Sequence, residues 1–390
     1  MILYLLWLFT SVTICYGTLN SSRKKQIKLM TIFMIALGLF VGLSDMLGGY
    51  DRYIYADLFD SMVDERLMGV NPWNSYAFDF YRSEFGYGSY CALLSYVTAN
   101  RYIFILMTTV LIYVLLIVSM RQYVSNAPFA VILFLGLWFF FTFTYLRQVI
   151  GCTICWLSVR YIIERKPLPF FVLWFIAFSF HNSVIIFLPM YFLPIKKFSP
   201  QRILIVMGVS LLIGLTPIPQ SLFSTYAELD VGRAGVQTYE NVKGFRVAYL
   251  LEAAFFLYII LSNYKKIPEN SKNIVLLNIA LIFCAILLIF IRSENGGRVA
   301  WVFMIGILCI VSDLCISNRN INQYGILLIC VVFFLYLRIY NAWQVANQLY
   351  PYKTFLTKGH RSPDLIWENY EYDDRYDENK FYRPAFLLFK

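Results

Sequence analysis

Residues 102–120 read YIFILMTTVLIYVLLIVSM, nineteen residues without a charge. As a helix, such a run is long enough to cross a bilayer hydrocarbon core of roughly 30 Å. Similar runs recur on both sides of it. The 390-residue chain is 59% hydrophobic and only 14% charged, with a mean hydropathy of +0.62. Soluble domains carry roughly a quarter charged residues, so this sequence is built for a bilayer. It reads as an all-α, polytopic integral membrane protein.

Weighing apolar runs against helix breakers gives about twelve spans. They fall near 2–20, 29–47, 102–120, 128–146, 148–163, 168–181, 183–194, 203–219, 245–262, 273–291, 298–316 and 324–343. The 168–194 region is short for two clean crossings, and a bend is the other reading. Residues 86–99 are apolar but too short and too rich in Tyr and Ser to span, which predicts an interfacial or re-entrant helix. The first run starts at Met1 with no basic flank and no small-residue cleavage site, the pattern of a retained helix. Residues 1–343 then form a single transmembrane domain, followed by a tail over 344–390.

Charge assigns the sides. Arg23, Lys24, Lys25, Lys28, Arg121, Arg165, Lys166, Lys196, Lys197, Lys265, Lys266 and Arg319 lie in alternate short loops nearly free of acid. That is the positive-inside signature, so these loops are expected in the cytoplasm. Loops 48–101, 220–244 and 292–297, with the tail, are expected outside, and both termini with them. The +10 net charge comes from those short loops and does not mark a nucleic-acid surface. The eight cysteines lie almost wholly within apolar runs and read as small buried hydrophobes. The one C-x-x-C, Cys152 to Cys155, has neither a second pair nor a nearby histidine.

Chemistry concentrates at the outer ends of the spans. Ionisable groups at membrane depth cost several kcal/mol unless paired or facing water. Arg147 follows WFFFTFTYL, and Arg292 and Arg298 bracket SENGG. Singly, each can snorkel to the headgroups from a helix end. Together they suit phosphate, whose oxygens a guanidinium fork meets two at a time; contact with anionic lipid headgroups is the competing reading. The first outer loop, with GGYDRYIYADLFD and YRSEFGYGSY, pairs tyrosines with carboxylates, as a sugar site does. An interfacial aromatic belt gives the same composition. Asp51 and Glu84 are the candidate general bases for activating a sugar hydroxyl.

One of only two histidines, His181, stands in FSFHNSVIIF at 178–187. It can accept, donate or bind a phosphate oxygen near neutral pH, or it can be a structural residue at a helix end. Asn182, Ser183, Pro189 and Pro194 mark a bend in that neighbourhood.

In order along the chain stand YDRYIY with Asp51 and Tyr55, EFGY from Glu84 to Tyr87, and the Leu146-Arg147-Gln148 triplet. Phe180, His181 and Ser183 of FHNS follow, then GGRVAWVF around Arg298, and YPYK at 350–353. In these elements the chain resembles the EpsG family of exopolysaccharide and capsule biosynthesis membrane proteins, which are similar to Wzy-type polymerases. Gly151 stands where that family often has Ala, Trp301 where Tyr is common, and the tail ENYEYDDRYDENKFY is less typical.

The resemblance implies a GT-C-like membrane enzyme at the outer face of a bacterial inner membrane. It would pass a glycan from one polyprenyl-pyrophosphate carrier to a carrier-linked acceptor. Arg147, Arg292 and Arg298 would hold the leaving pyrophosphate, so that no metal or cofactor is called for. Asp51, Glu84 or His181 would assist the attacking hydroxyl, and Tyr53, Tyr55, Tyr87 and Gln148 would line the glycan. The lipid bilayer, and a chain-length regulator and flippase of the same pathway, are the implied partners, with no nucleic acid among them.

Three rivals are weighed against this. An O-acyltransferase usually has an early-span histidine, and here none precedes His181. A lipid-linked oligosaccharide flippase favours repeats and ionisable residues along the midplane, whereas charge here sits mainly at span ends, Glu252 and Asp313 excepted. A single-sugar GT-C transferase shares the outer-face chemistry and stays open.

Overall fold

Within a bilayer the backbone must satisfy its own N–H and C=O groups, which leaves helices as the solution for runs of this kind. The computed structural model describes residues 1–45, 50–219, 221, 246–293, 296–345, 349–350, 352–357 and 374–387. Its helices are α1 (Ile2–Thr18), α2 (Arg23–Gly42), α3 (Tyr50–Leu67), α4 (Tyr76–Phe80), α5 (Phe85–Ser95) and α6 (Arg101–Tyr123). Then come α7 (Ala127–Leu137), α8 (Leu146–Ile163), α9 (Pro167–Phe180), a 3₁₀ stretch Asn182–Tyr191, α10 (Pro200–Leu215) and α11 (Val247–Ser262). The last are α12 (Ser271–Ile289), α13 (Gly296–Leu314, with a 3₁₀ turn at Trp301–Phe303), α14 (Gln323–Val345) and the short α15 (Asp374–Glu378).

Helix forms in each of the twelve apolar runs, but the runs are unequal. Among the described residues, six helices (α2, α6, α8, α12, α13 and α14) are long and apolar enough to cross a membrane, and six other apolar helices have 10–17 residues. The expected span 128–146 shows why: α7 stops at Leu137 and the chain turns through a 3₁₀ segment, Phe140–Phe143, before α8 begins. Hydropathy does not register such a break.

The 168–194 region is a hairpin. Trp174 Nε1 donates to the Val184 carbonyl at 3.2 Å, and the Phe170 and Tyr191 rings lie 4.9 Å apart, so the 3₁₀ stretch runs back along α9. Fourteen helical residues rise about 21 Å, short of the roughly 30 Å core. His181 is the tip of this hairpin, with an extended backbone at φ −157° and ψ 124°. The tip closes on α8 at Gly151, where a Cβ would lie 3.1–3.2 Å from Ala177, His181 and Val184 atoms. The eleven-residue α5 is too short to cross, and it packs on α3, α4 and α9.

Long-range hydrogen bonds sort the loops into two ends. At one, Arg165 donates to the Tyr191 and Leu193 carbonyls, Lys197 Nζ to Ile267 O at 2.8 Å, and Asn126 to Asp313 at 2.9 Å. The loops grouped above by their basic residues meet there. The other end gathers α3 to α5, the His181 tip and the starts of α8 and α13. Part of the tail docks on it as well: Ser44 bridges Thr354, and Leu387 N donates to Val97 O at 2.9 Å. Between the ends, Trp138 lies 4.9 Å from Trp156 and 6.1 Å from Trp301, and Trp156 Nε1 donates to Val302 O at 2.8 Å. These indoles seat α8 against α13.

Candidate functional site

Arg147 stands in the first turn of α8, where the helix already presents partial positive charge. A buried cation there needs a strong counter-charge, and Glu84 supplies it. Arg147 Nη1 and Glu84 Oε2 form a close ion pair, with side-chain exposures of 14% and 0%. Arg147 Nε also donates to Tyr55 Oη at 3.4 Å. The guanidinium carbon lies 5.2, 5.3 and 6.0 Å from the ring centroids of Tyr55, Tyr81 and Tyr87, within cation–π reach. Glu84 is brought into position by α5, whose Gly86 sits so close to α9 that a Cβ would collide with Ser179 Oγ.

The second Glu84 oxygen, Oε1, accepts from the Asn182 backbone N–H at 3.2 Å and faces His181 Nε2 at 3.8 Å. On the other ring edge, His181 Nδ1 accepts from the Ser183 backbone N–H at 3.2 Å and lies 2.8 Å from Ser183 Oγ. A backbone N–H only donates, so the neutral imidazole carries its proton on Nε2, toward Glu84. The tip therefore presents a donor, not a base, to the carboxylate.

Gln148 continues the chain. Its Nε2 donates to Ser183 Oγ at 3.2 Å and to the Arg298 carbonyl at 2.9 Å, while its Oε1 accepts from Arg298 Nε at 3.1 Å. The Arg298 guanidinium is stacked 4.1 Å from the Tyr145 ring centroid. A polar network thus runs Arg298–Gln148–Ser183–His181, and across one short gap to Glu84–Arg147–Tyr55. Among the described residues, Arg298 has no carboxylate partner, in contrast to Arg147.

Asp51, partly buried in the first turn of α3, acts electrostatically on both Tyr55 and Tyr145. Burial raises the Tyr55 phenol, Arg147 opposes that, and Asp51 adds to it. Burial likewise pushes the Tyr81 and Tyr87 phenols well above their ordinary value, so both stay neutral donors. Tyr81 Oη, Tyr87 Oη and Asn182 Oδ1 are buried with no hydrogen-bond partner among the described residues.

Of the residues singled out from sequence, Glu84, Arg147, Gln148, His181, Arg298, Tyr55 and Tyr87 come together, and Asp51 acts electrostatically on Tyr55. Arg292 stands apart, donating instead to the Leu215 carbonyl at the end of α10, at 3.1 Å. Tyr53 is buried beside Arg52, on a different face of α3 from Tyr55. Tyr81 and Tyr145 belong to the site and were missed. The available signal was their position, three residues before Glu84 and two before Arg147.

Fold and site together define a multi-pass helical membrane protein with an arginine- and carboxylate-bearing network at one end of its bundle. The model of the EpsG family matches residues 27–354. The chain belongs to that family. No curated protein and no solved structure matches it.

Proposed function

We propose that the chain is a polysaccharide polymerase acting at the outer face of a bacterial inner membrane. Its donor is a glycan on a polyprenyl pyrophosphate, and its acceptor is the terminal sugar of another carrier-linked unit. The bond from the anomeric carbon to the pyrophosphate oxygen breaks, and that oxygen keeps the electron pair. The acceptor hydroxyl forms the new glycosidic bond and gives up its proton.

The observation that carries this reading is the Arg298–Gln148–Ser183–His181–Glu84–Arg147 network, which gathers residues from four separate parts of the chain. Arg298, lacking a carboxylate partner among the described residues, is the better group for the leaving pyrophosphate, by charge-assisted, preorganised hydrogen bonding. Arg147, already paired with Glu84, supports it from behind and shapes the tyrosine wall. His181, whose Nε2 faces Glu84 at 3.8 Å, is a positioning residue. Asp51, which acts electrostatically on Tyr55 and Tyr145, is the carboxylate we assign to receive the hydroxyl proton. The Tyr55, Tyr81 and Tyr87 rings and hydroxyls suit the faces and edges of a sugar.

Deletion of the protein tests the class of reaction. Loss of a polymerase leaves single repeat units on the carrier at the outer face. Units trapped on the cytoplasmic side would mean a flippase, and full-length polymer with altered decoration an acyltransferase. Either of the latter outcomes removes the proposal.

A further inference from the structure

At the end of the bundle away from this network, a groove of about 430 Å³ opens between α10 and α12. That lies within the range of about 300–1,000 Å³ usual for ligand sites. Ile203, Val206 and Met207 from α10 and Leu281, Ile282 and Ala285 from α12 form its walls, with Arg202 and Asn278 as the polar residues lining it. The two helices are parallel. Asn278 Nδ2 donates to the Pro194 and Lys196 carbonyls, at 3.4 and 3.5 Å, just before α10. Further along, Gly214 lies against the Leu288 and Ile289 carbonyls. The polar residues therefore mark the end nearer the basic loops, and from Asn278 to Ala285 the groove runs about 10 Å deeper along α12.

The flank of the groove faces hydrocarbon. Leu204, Ile205 and Val206 on α10 are each more than half exposed. An apolar slot beside such a face fits an acyl chain, and the cations at its mouth, Arg202 with exposed Lys196 near by, fit an anionic headgroup. A second feature narrows the headgroup. Asn278 is 5% exposed, lines the groove, and its Oδ1 has no hydrogen-bond partner among the described residues. A buried acceptor left unmet is destabilising; an acyl chain cannot satisfy it, whereas a hydroxyl can.

We infer that this groove is a specific site for one anionic glycerophospholipid with a hydroxylated headgroup, of the phosphatidylglycerol kind. Its phosphate meets Arg202, a headgroup hydroxyl donates to Asn278 Oδ1, and one acyl chain lies between α10 and α12. The site is separate from the polar network above and does not depend on the reaction proposed for it.

Full-length protein, delipidated in detergent, is offered equimolar dioleoyl phosphatidylglycerol and dioleoyl phosphatidylcholine, and the retained lipid is read by native mass spectrometry. One phosphatidylglycerol is expected to be held about tenfold in preference. Arg202→Gln and Asn278→Leu should each weaken that retention about tenfold, as befits a lost charge-assisted or buried hydrogen bond of about 1.5 kcal/mol. Ile205→Trp, which obstructs the groove, should abolish it. Leu212→Trp, on the same helix and equally exposed at 66% but outside the lining, should leave it intact. Arg202 and Ile205 are exposed, so those variants keep the test valid if Asn278→Leu fails to fold. Equal retention of both lipids, undiminished phosphatidylglycerol in Arg202→Gln or Ile205→Trp, or a second copy cross-linked through a cysteine at position 205 would each overturn the inference.

Discussion

Arg147 and Glu84 meet as a single buried pair, whereas Arg101 and Arg383, at the same end of the bundle, share three carboxylates. Arg101 Nε donates to Asp60 at 2.7 Å and its Nη2 to Asp57 at 2.9 Å; Arg383 reaches Asp64 at 2.9 Å. Tyr376 of α15 lies under Arg101 at 4.6 Å, and Asn100 donates to the Lys380 and Arg383 carbonyls at 2.8 and 3.1 Å. This cluster clamps the tail onto α3, the helix that carries Asp51 and Tyr55. Its tail side, Tyr376 to Arg383, lies beyond residue 354, where the family match ends.

The clamp has spare partners and access to water, since Asp57 and Asp64 are 43% and 47% exposed in their side chains. Arg147 touches no second carboxylate among the described residues, and three neighbouring polar atoms have unfilled hydrogen-bonding capacity. The clamp is wired for redundancy and the site for a single arrangement that a ligand can complete. Substitutions should therefore tell differently on the two.

The largest effect is expected at Glu84. Glu84→Gln strips a buried arginine of its counter-charge, which costs about 3–5 kcal/mol, read as a lower unfolding midpoint in detergent. The double variant Glu84→Met with Arg147→Met removes both charges and should regain most of the stability while making no polymer. Equal stability of Glu84→Gln and wild type would show that the pair is not the single-arrangement element described here.

A smaller, pH-dependent effect is expected in the clamp. Burial pushes the Asp60 carboxyl up to about 6, even though Arg101 and Arg383 pull it down and Asp57 adds to the rise. Its folded value thus exceeds the unfolded one of about 3.9. The stability Asp60 contributes is fully present below pH of about 4 and is lost as pH rises through about 6. Hydrogen exchange over 374–387, corrected for intrinsic rates, should show weaker protection at pH 8 than at pH 5. Asp60→Asn should flatten that slope, and a slope unchanged in Asp60→Asn would assign it elsewhere. Asp57→Ala, removing a half-exposed partner, should cost no more than about 1 kcal/mol.

A stability change of similar, small size is expected at His181. His181→Gln gives up the ring acceptor for the Ser183 N–H, about 0.5–1.5 kcal/mol, while the hairpin stays closed on Gly151. Polymer should shorten in His181→Gln and vanish in His181→Ala at equal protein level. Normal lengths in His181→Gln would reduce the histidine to a hairpin tip.

Much of this was legible in the sequence because membrane depth makes polar residues conspicuous. Arg147, Gln148, His181 and Arg298 stand out against apolar runs, and charge asymmetry grouped the loops that the structure gathers at one end. What was not legible depends on distance along the chain. Glu84 and Arg147 are 63 positions apart, so each read as an independent candidate, one a base and one a phosphate ligand, and not as partners. Arg292 looked like a twin of Arg298 because both flank SENGG, yet a helix-end carbonyl captures it. The acidic, aromatic tail stood out only as less typical of the family, since nothing local signals that Arg383 and Tyr376 would reach Asp60.

The Arg298 guanidinium, held by Gln148 and Tyr145 with no carboxylate partner among the described residues, is the group proposed to receive the leaving pyrophosphate. Arg298→Lys keeps the charge but gives up the planar fork and much of the stacking. The most direct measurement is the length distribution of carrier-linked glycans in cells expressing this variant at the wild-type protein level. Accumulation of single repeat units, as in the deletion, is the expected result. Polymer of wild-type length would contradict it.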